Sequence, residues 1–194
     1  MTGSGPMLGI VLPTRGVVLA GGDDPDANLI VHMARLAEDA GVDSVWVGDS
    51  LVAKPRLEPL AALAAVAAST TRVGLGTSVL LAALRHPVLL AQTAATVDQL
   101  SNGRLTLAMG VGGAFTDAQK NEWATAGVAK RTRATRMEEM VEIMRGLWSG
   151  YPVTFHGKHF DLDEVSLGYR PYQRPGVSIL LATHSGEGRS RQPA

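Results

Sequence analysis

The feature that most constrains the fold is residues 84–113, LRHPVLLAQTAATVDQLSNGRLTLAMGVGG, which encode a helix, a turn and a strand in one uninterrupted run. Pro87 has its φ preset for a first helical turn, with His86 at the N-cap position, and Leu89, Leu90, Ala94, Val97 and Leu100 supply an apolar face. Asn102-Gly103 stops the helix. Leu105, Leu107 and Met109 then interleave with Thr106 and Ala108, with no charge on either side, the composition of a strand covered on both faces. Gly110, Gly112 and Gly113 follow, where the missing side chains let another group approach the backbone closely.

The same alternation runs through the whole chain, which is the pattern of a parallel sheet with helical crossovers. Residues 8–12 read as a first short strand, followed by a glycine-rich, acidic loop over 16–26. Leu29, Met33, Leu36, Ala37 and Ala40 then recur at helical spacing, with Arg35, Glu38 and Asp39 facing elsewhere, and Gly41 caps that helix. A second strand over 44–47 ends at Gly48-Asp49-Ser50. Glu58 and Pro59 open an alanine-rich helix to Ala68, and a third strand starting at 72–75 ends at Gly76-Thr77-Ser78. After the 84–113 unit, Met137, Met140, Val141, Met144, Leu147 and Trp148 form one stripe opposite Glu138, Glu139, Glu142 and Arg145. The methionines there read as core filling. VTFHGKHFDL reads as a surface hairpin about His156-Gly157-Lys158, and 177–182 as the fifth core strand. Residues 1–6 are expected to be a flexible leader, 7–185 one domain, and 186–194 a disordered tail.

Four strand-helix units and a fifth strand fit either an open doubly wound sheet or the front portion of an eight-stranded barrel. The 194 residues fall short of the ~250 typical of a full barrel, so fewer than eight units are expected. In both architectures the chemistry sits where strands end, which gives strand-end polar residues priority over helix ones.

Composition removes several classes of function. Eighteen basic residues cancel eighteen acidic ones, so no global field favours nucleic acid or an anionic membrane. Lys130, Arg131, Arg133 and Arg136 form a local basic run that reads as a solvated loop and helix start, with an anion site as the alternative. There is no cysteine, hence no disulfide, thiolate metal site or thiol nucleophile. No apolar run approaches the ~20 residues of a membrane span, and the start lacks a basic-then-apolar signal, so a cytoplasmic location is expected.

Several stretches resemble the luciferase-like monooxygenases, the family of bacterial luciferase and of oxidoreductases using the deazaflavin coenzyme F-420. They are LAEDAGVDSVWVGDS, EPLAALAAVAASTTRVGLGTSVL, RHPVLLAQTAATVDQLSNGRLTLAMGVGG and MRGLWSGYPVTFHGKHFDL, in family order across most of residues 7–185. The resemblance implies an α/β fold, a partial TIM-type (β/α)8 barrel with about five parallel strands, helical crossovers and a small hairpin insertion. It also implies FMN with oxygen, or F-420 with hydride transfer, across the C-terminal ends of the strands. The sequence does not distinguish the two cofactors. Family members continue through three more strand-helix units, so the chain looks truncated after its fifth strand. An inert fragment, or a self-associating α/β protein without cofactor, is the alternative.

The candidate catalytic residues are Asp49 and Ser50, where a carboxylate can bind substrate or orient a proton donor, although Asp is equally a turn and cap residue. For the cofactor, the resemblance points to Gly76, Thr77 and Ser78, where a backbone bulge, sometimes with a non-prolyl cis peptide, presses on the flavin ring. Gly110, Gly112 and Gly113 would let a flat ring lie near the main chain, or form a tight turn. His184 and Ser185 are implied on the cofactor's phosphate side. His86 reads as a helix cap rather than a general base, and Arg85 as the holder of a carboxylate or helix end. His156 and His159 lack a metal-site pattern. Glu122-Trp123 resembles a family acidic-aromatic pair and reads as a loop packed on the last helix. No triad, P-loop or zinc spacing is present, which suits an enzyme whose difficult chemistry belongs to a cofactor. The expected partners are a small-molecule substrate and further copies of the chain joined through exposed sheet edges, with neither nucleic acid nor membrane.

Overall fold

The structure, a computed structural model, describes residues 7–182. The expected leader at 1–6, the tail at 186–194, and His184 and Ser185 lie outside the described residues. In chain order the elements are β1 (Gly9–Val11), α1 (Thr14–Gly21), α2 (Asn28–Asp39), β2 (Ser44–Val47), α3 (Pro59–Ser69), β3 (Gly74–Thr77), α4 (Pro87–Leu100), β4 (Leu105–Met109), α5 (Asp117–Thr125), α6 (Arg133–Trp148), the strands β5 (Val153–His156) and β6 (Asp161–Val165), and β7 (Ser178–Leu181).

Five strands form one sheet in the order β1-β2-β3-β4-β7, every pair parallel. Each strand joins outside the one before it, with no reversal about β1. That order is the front of a (β/α) barrel and not a doubly wound sheet. The β5-β6 pair is the expected antiparallel hairpin, inserted between α6 and β7.

Register decides which side chains meet the helices. Val45 pairs with Leu75, Leu75 with Leu105, and Leu107 with Ile179, so these residues share a face. Val45, Val47, Leu75, Leu105, Leu107 and Met109 are at most 1% exposed and join helix side chains such as Ile30, Leu63, Leu90 and Met144 in one core. The opposite face is built from smaller residues. Trp46 lies there beside Gly76 on β3 and Gly9 on β1, and a β-carbon on Gly76 would overlap its ring. Thr106 and Ala108 are only half-buried, so β4 is not covered on both faces as its uncharged composition suggests.

Other differences have local causes. The expected loop over 16–26 is half helix. Val17 to Ala20 carry α1 despite Gly16, and Thr14 and Val17 are buried. On α2 the buried stripe is Ile30, Ala34 and Ala37, while Leu29 and Leu36 face outward, because small alanines allow close approach to α3. On α4, Leu89 and Leu100 are exposed while Ala91, Ala95 and Asp98 are buried. His86 holds the N-cap position without a capping side-chain bond, and its ring meets Phe160 edge-on at 5.9 Å.

Charged groups tie the βα units together at the end of the sheet where strands begin. Arg104 donates to Ser101 O, Thr70 Oγ1, Val73 O, Ala67 O and Thr70 O, satisfying the last carbonyls of α3. Glu38 accepts the N–H groups of Thr71, Arg72 and Val73 just before β3. Burial works against its charge, but those three backbone bonds and the Arg72 charge prevail and lower its pKa to about 2 from 4.5. A lowered carboxylate stabilises the fold above its unfolded value, and that contribution fades as the pH falls through the folded one. Denaturant melts of wild type and Glu38→Gln should therefore differ at neutral pH and converge as the pH is taken from 4.5 towards 2.

Candidate active site

The C-terminal ends of β2, β3, β4 and β7 surround a cavity of about 590 Å³. Asp49 and Ser50 enter from β2, Ser78 and Val79 from β3, Gly110 to Gly113 from β4, and Ala182 from β7. The Ser78-Val79 peptide is cis and non-prolyl, at the strand end where the family resemblance implies such a bond.

The Asp49 side chain is 1% exposed, and both of its oxygens accept hydrogen bonds. Oδ2 accepts from Leu81 N at 2.8 Å and Arg85 Nη1 at 2.5 Å, and Oδ1 accepts from Arg85 Nη2 at 3.0 Å. Arg85 also reaches Glu58 at 3.0 Å, whose other oxygen caps α3 through Ala61 N. Burial disfavours the Arg85 charge, yet the hydrogen bonds and charges of Asp49 and Glu58 outweigh it and hold its pKa above the ordinary value. The sequence reading of Arg85 as a carboxylate holder is what the structure shows.

Ser50 is engaged as fully. Its hydroxyl donates to Glu122 Oε1 at 2.6 Å and accepts from Lys54 N at 2.9 Å. The same Glu122 oxygen accepts from Val52 N and Ala53 N, at 3.0 and 3.2 Å. Burial would raise the Glu122 pKa, but the Ser50 hydroxyl and the Ala53, Val52 and Leu51 amides hold it below the usual carboxylate range. Next along the chain, Trp123 donates to Gly113 O at 2.9 Å. Adjacent residues of α5 thus fix the loops after β2 and β4 at once.

Glu122-Trp123 is helical and not a loop. Thr116 and Gln119 form a capping box that starts α5, with Gln119 Oε1 also accepting from Phe115 N at 2.9 Å. The T-x-x-Q spacing is visible in the sequence and is the signal that finds this helix. Arg56 and Arg133 also line the cavity. Arg133 begins α6 four residues before the first methionine of its apolar stripe.

Of the sequence candidates, the structure brings together Asp49, Ser50, Ser78, Gly110, Gly112 and Gly113. It does not bring Gly76 or Thr77 to the cavity. Gly76 sits under the Trp46 ring, and Thr77 is fully buried with its hydroxyl on Ala108 O at 2.9 Å. Gly112 has φ +66° and would bring a β-carbon within 2.9 Å of Leu81, so turn geometry and packing both require glycine there.

The model of the family described as luciferase-like monooxygenase matches residues 7–192. The chain belongs to that family. An F-420-dependent glucose-6-phosphate dehydrogenase from Amycolatopsis mediterranei (strain U-32) is 37% identical over 159 residues, covering 77% of this chain and 46% of the relative. Among solved structures, the monooxygenase RslO1 from Streptomyces bottropensis is similar with a TM-score of 0.78 and 30% identity, over 92% of this chain and 54% of that one. An F-420-dependent secondary alcohol dehydrogenase in complex with an F-420-acetone adduct matches with a TM-score of 0.72 and 27% identity, over 92% and 52%. The chain thus spans about half the length of these luciferase-like proteins. No helix among the described residues is long and apolar enough to cross a membrane.

The buried pair makes Asp49 a stability determinant. Asp49→Asn leaves Arg85 short of its main counter-charge and should lower the unfolding free energy by about 3 kcal/mol in urea melts.

Proposed function

We propose that the chain carries the cofactor-facing half of a flavin- or deazaflavin-dependent oxidoreductase, using FMN or coenzyme F-420 on a small-molecule substrate in the cytoplasm. The observation that carries this reading is the cavity at the strand ends, whose apolar wall of Val79, Leu81, Val111 and Ala182 suits the face of a flat ring. Its volume lies within the ~300–1,000 Å³ of cofactor and ligand sites, and its polar groups lie among those apolar surfaces, as such sites require. The relatives' activities, as F-420-dependent dehydrogenases of glucose 6-phosphate and of a secondary alcohol and as a monooxygenase, support substrate chemistry of the same redox class for this chain.

When bound, the cofactor supplies hydride transfer or oxygen activation, and the protein's task is to orient and exclude water. Ser78 and Val79 form the floor, and Gly110, Gly112 and Gly113 the adjoining wall. His184 and Ser185 follow β7 in sequence and are proposed to extend the site on its phosphate side. Asp49 and Ser50 act as positioning residues. The Asp49 carboxylate holds Leu81 N and so fixes the segment that carries Val79, and Ser50 passes the anchoring of Glu122 to the loop at Lys54. The Asp49 oxygens and the Ser50 hydroxyl are engaged by these partners, which supports a positioning part for both.

Titration of FMN and of F-420 into the full chain should each be followed by visible absorbance, with at least one giving a saturable spectral shift. Val111→Trp, which fills the cavity from its rim, should abolish that shift while leaving the melting curve intact. Flat titrations with both compounds would sink the reading.

The sheet edges support self-association as part of the proposal. Val11 on β1 is 64% exposed, and Leu180 and Leu181 on β7 are 53% and 56% exposed, beside strand edges without a partner among the described residues. Light scattering should report a species larger than one chain, and the double substitution Val11→Lys, Leu180→Lys should return it to a monomer.

A further inference from the structure

The partly buried arginines divide into two kinds. Arg104 spends its guanidinium on carbonyls and a hydroxyl, Arg85 on two carboxylates, and Arg136 donates through Nε to Ala83 O while stacking on Phe160 at 4.2 Å. Arg56 and Arg133 differ from all three. Their Nε atoms are closed to solvent and have no acceptor among the described residues. Arg133 makes one bond, from Nη1 to Lys130 O at 2.5 Å, and Arg56 is in no hydrogen bond or ion pair within that part of the chain. Both line the cavity at the strand ends.

A buried donor without an acceptor is unfavourable, and the Nε of each of these half-buried arginines is such a donor. The cavity's own carboxylates do not answer the charge. Asp49 is consumed by Arg85 and Leu81 N, and the Glu122 oxygen facing Ser50 by three donors of the loop after β2. Lys54 adds a third cation to the lining. The backbone has also made room for one of these groups. Gly48, the residue after β2, lies so close to Arg56 Nη1 that a β-carbon there would displace the guanidinium.

We propose that Arg56 and Arg133 form an oxyanion subsite, taking a phosphate or carboxylate group carried by the substrate. A guanidinium fork matches either oxyanion in a bidentate manner and discriminates against chloride. Arg133 belongs to the basic run at 130–136, whose members divide: Arg133 serves the anion site, Lys130 and Arg131 are exposed, and Arg136 packs on Phe160. The subsite shares the cavity of the proposed redox site but is measurable without any cofactor.

Inorganic phosphate is the probe, titrated calorimetrically into the full chain at constant ionic strength against chloride. Saturable binding is expected, weakened about tenfold or more by Arg56→Met and by Arg133→Met, and unchanged in Arg131→Met. Gly48→Ala, which moves the Arg56 guanidinium without removing its charge, should weaken phosphate too. Circular dichroism melts confirm that each variant is folded, and Arg56→Lys, keeping charge but losing the fork, should fall between wild type and Arg56→Met. Equal phosphate binding in wild type and both methionine variants, or none in wild type, overturns the subsite. A second arm separates the sources of the anion. If phosphate competes with FMN but not with riboflavin, and Arg56→Met weakens only FMN, the occupant is the cofactor's phosphate and the assignment to substrate is overturned. Phosphate that binds without displacing either ring supports it. Absence of all flavin binding would count against the redox reading alone, because the phosphate titration still decides the subsite.

Discussion

The Asp49 carboxylate, closed off from water, joins two successive βα units at one point. It closes the end of β2, holds the backbone after β3 through Leu81, and through Arg85 reaches Glu58 at the start of α3. A buried carboxylate persists only where its partners compensate for lost hydration, and here three hydrogen bonds, two of them from one guanidinium, do so. The cis Ser78-Val79 segment, which floors the cavity, runs directly into this anchor. Site geometry and fold stability therefore depend on the same ion pair.

Glu122 repeats that logic from outside the sheet. One oxygen gathers the loop after β2, and its neighbour Trp123 pins the turn after β4. Two anionic groups are thus used up in building the rim. The rim arginines Arg56 and Arg133 have no carboxylate partner among the described residues, and that asymmetry gives the cavity its electrostatic character.

Local pattern made part of this legible in the sequence. β2 and β4 lie where alternation places them, and Pro87 and Asn102-Gly103 bound α4 because proline and glycine act through their own backbone. The buried face of α2 was harder, since Leu29 and Leu36 compete with Ile30, Ala34 and Ala37 for one helical stripe and only packing on α3 decides. Site contacts were harder still. Ser50 and Glu122 are 72 residues apart, and nothing near either one announces the other. That Asp49, Ser50, Ser78 and the β4 glycines line one cavity is legible in the sequence because the ends of parallel strands converge whatever the sequence between them. Arg56 and Arg133 lie on a loop and a helix start, where charge is ordinary, and their isolation from acceptors is a property of three dimensions.

The unreversed strand order has a dynamic consequence. Each strand leans on the one before it, so local order passes along the sheet from neighbour to neighbour. β2, β3 and β4 are hydrogen-bonded on both sides, while β1 and β7 have one partner each among the described residues. Amide exchange should be slowest in the central strands and quicken towards either edge. The cavity straddles that gradient, with its β2 and β3 walls in the rigid interior and its β7 wall on the yielding margin, so an occupant would be gripped from one side and accommodated from the other.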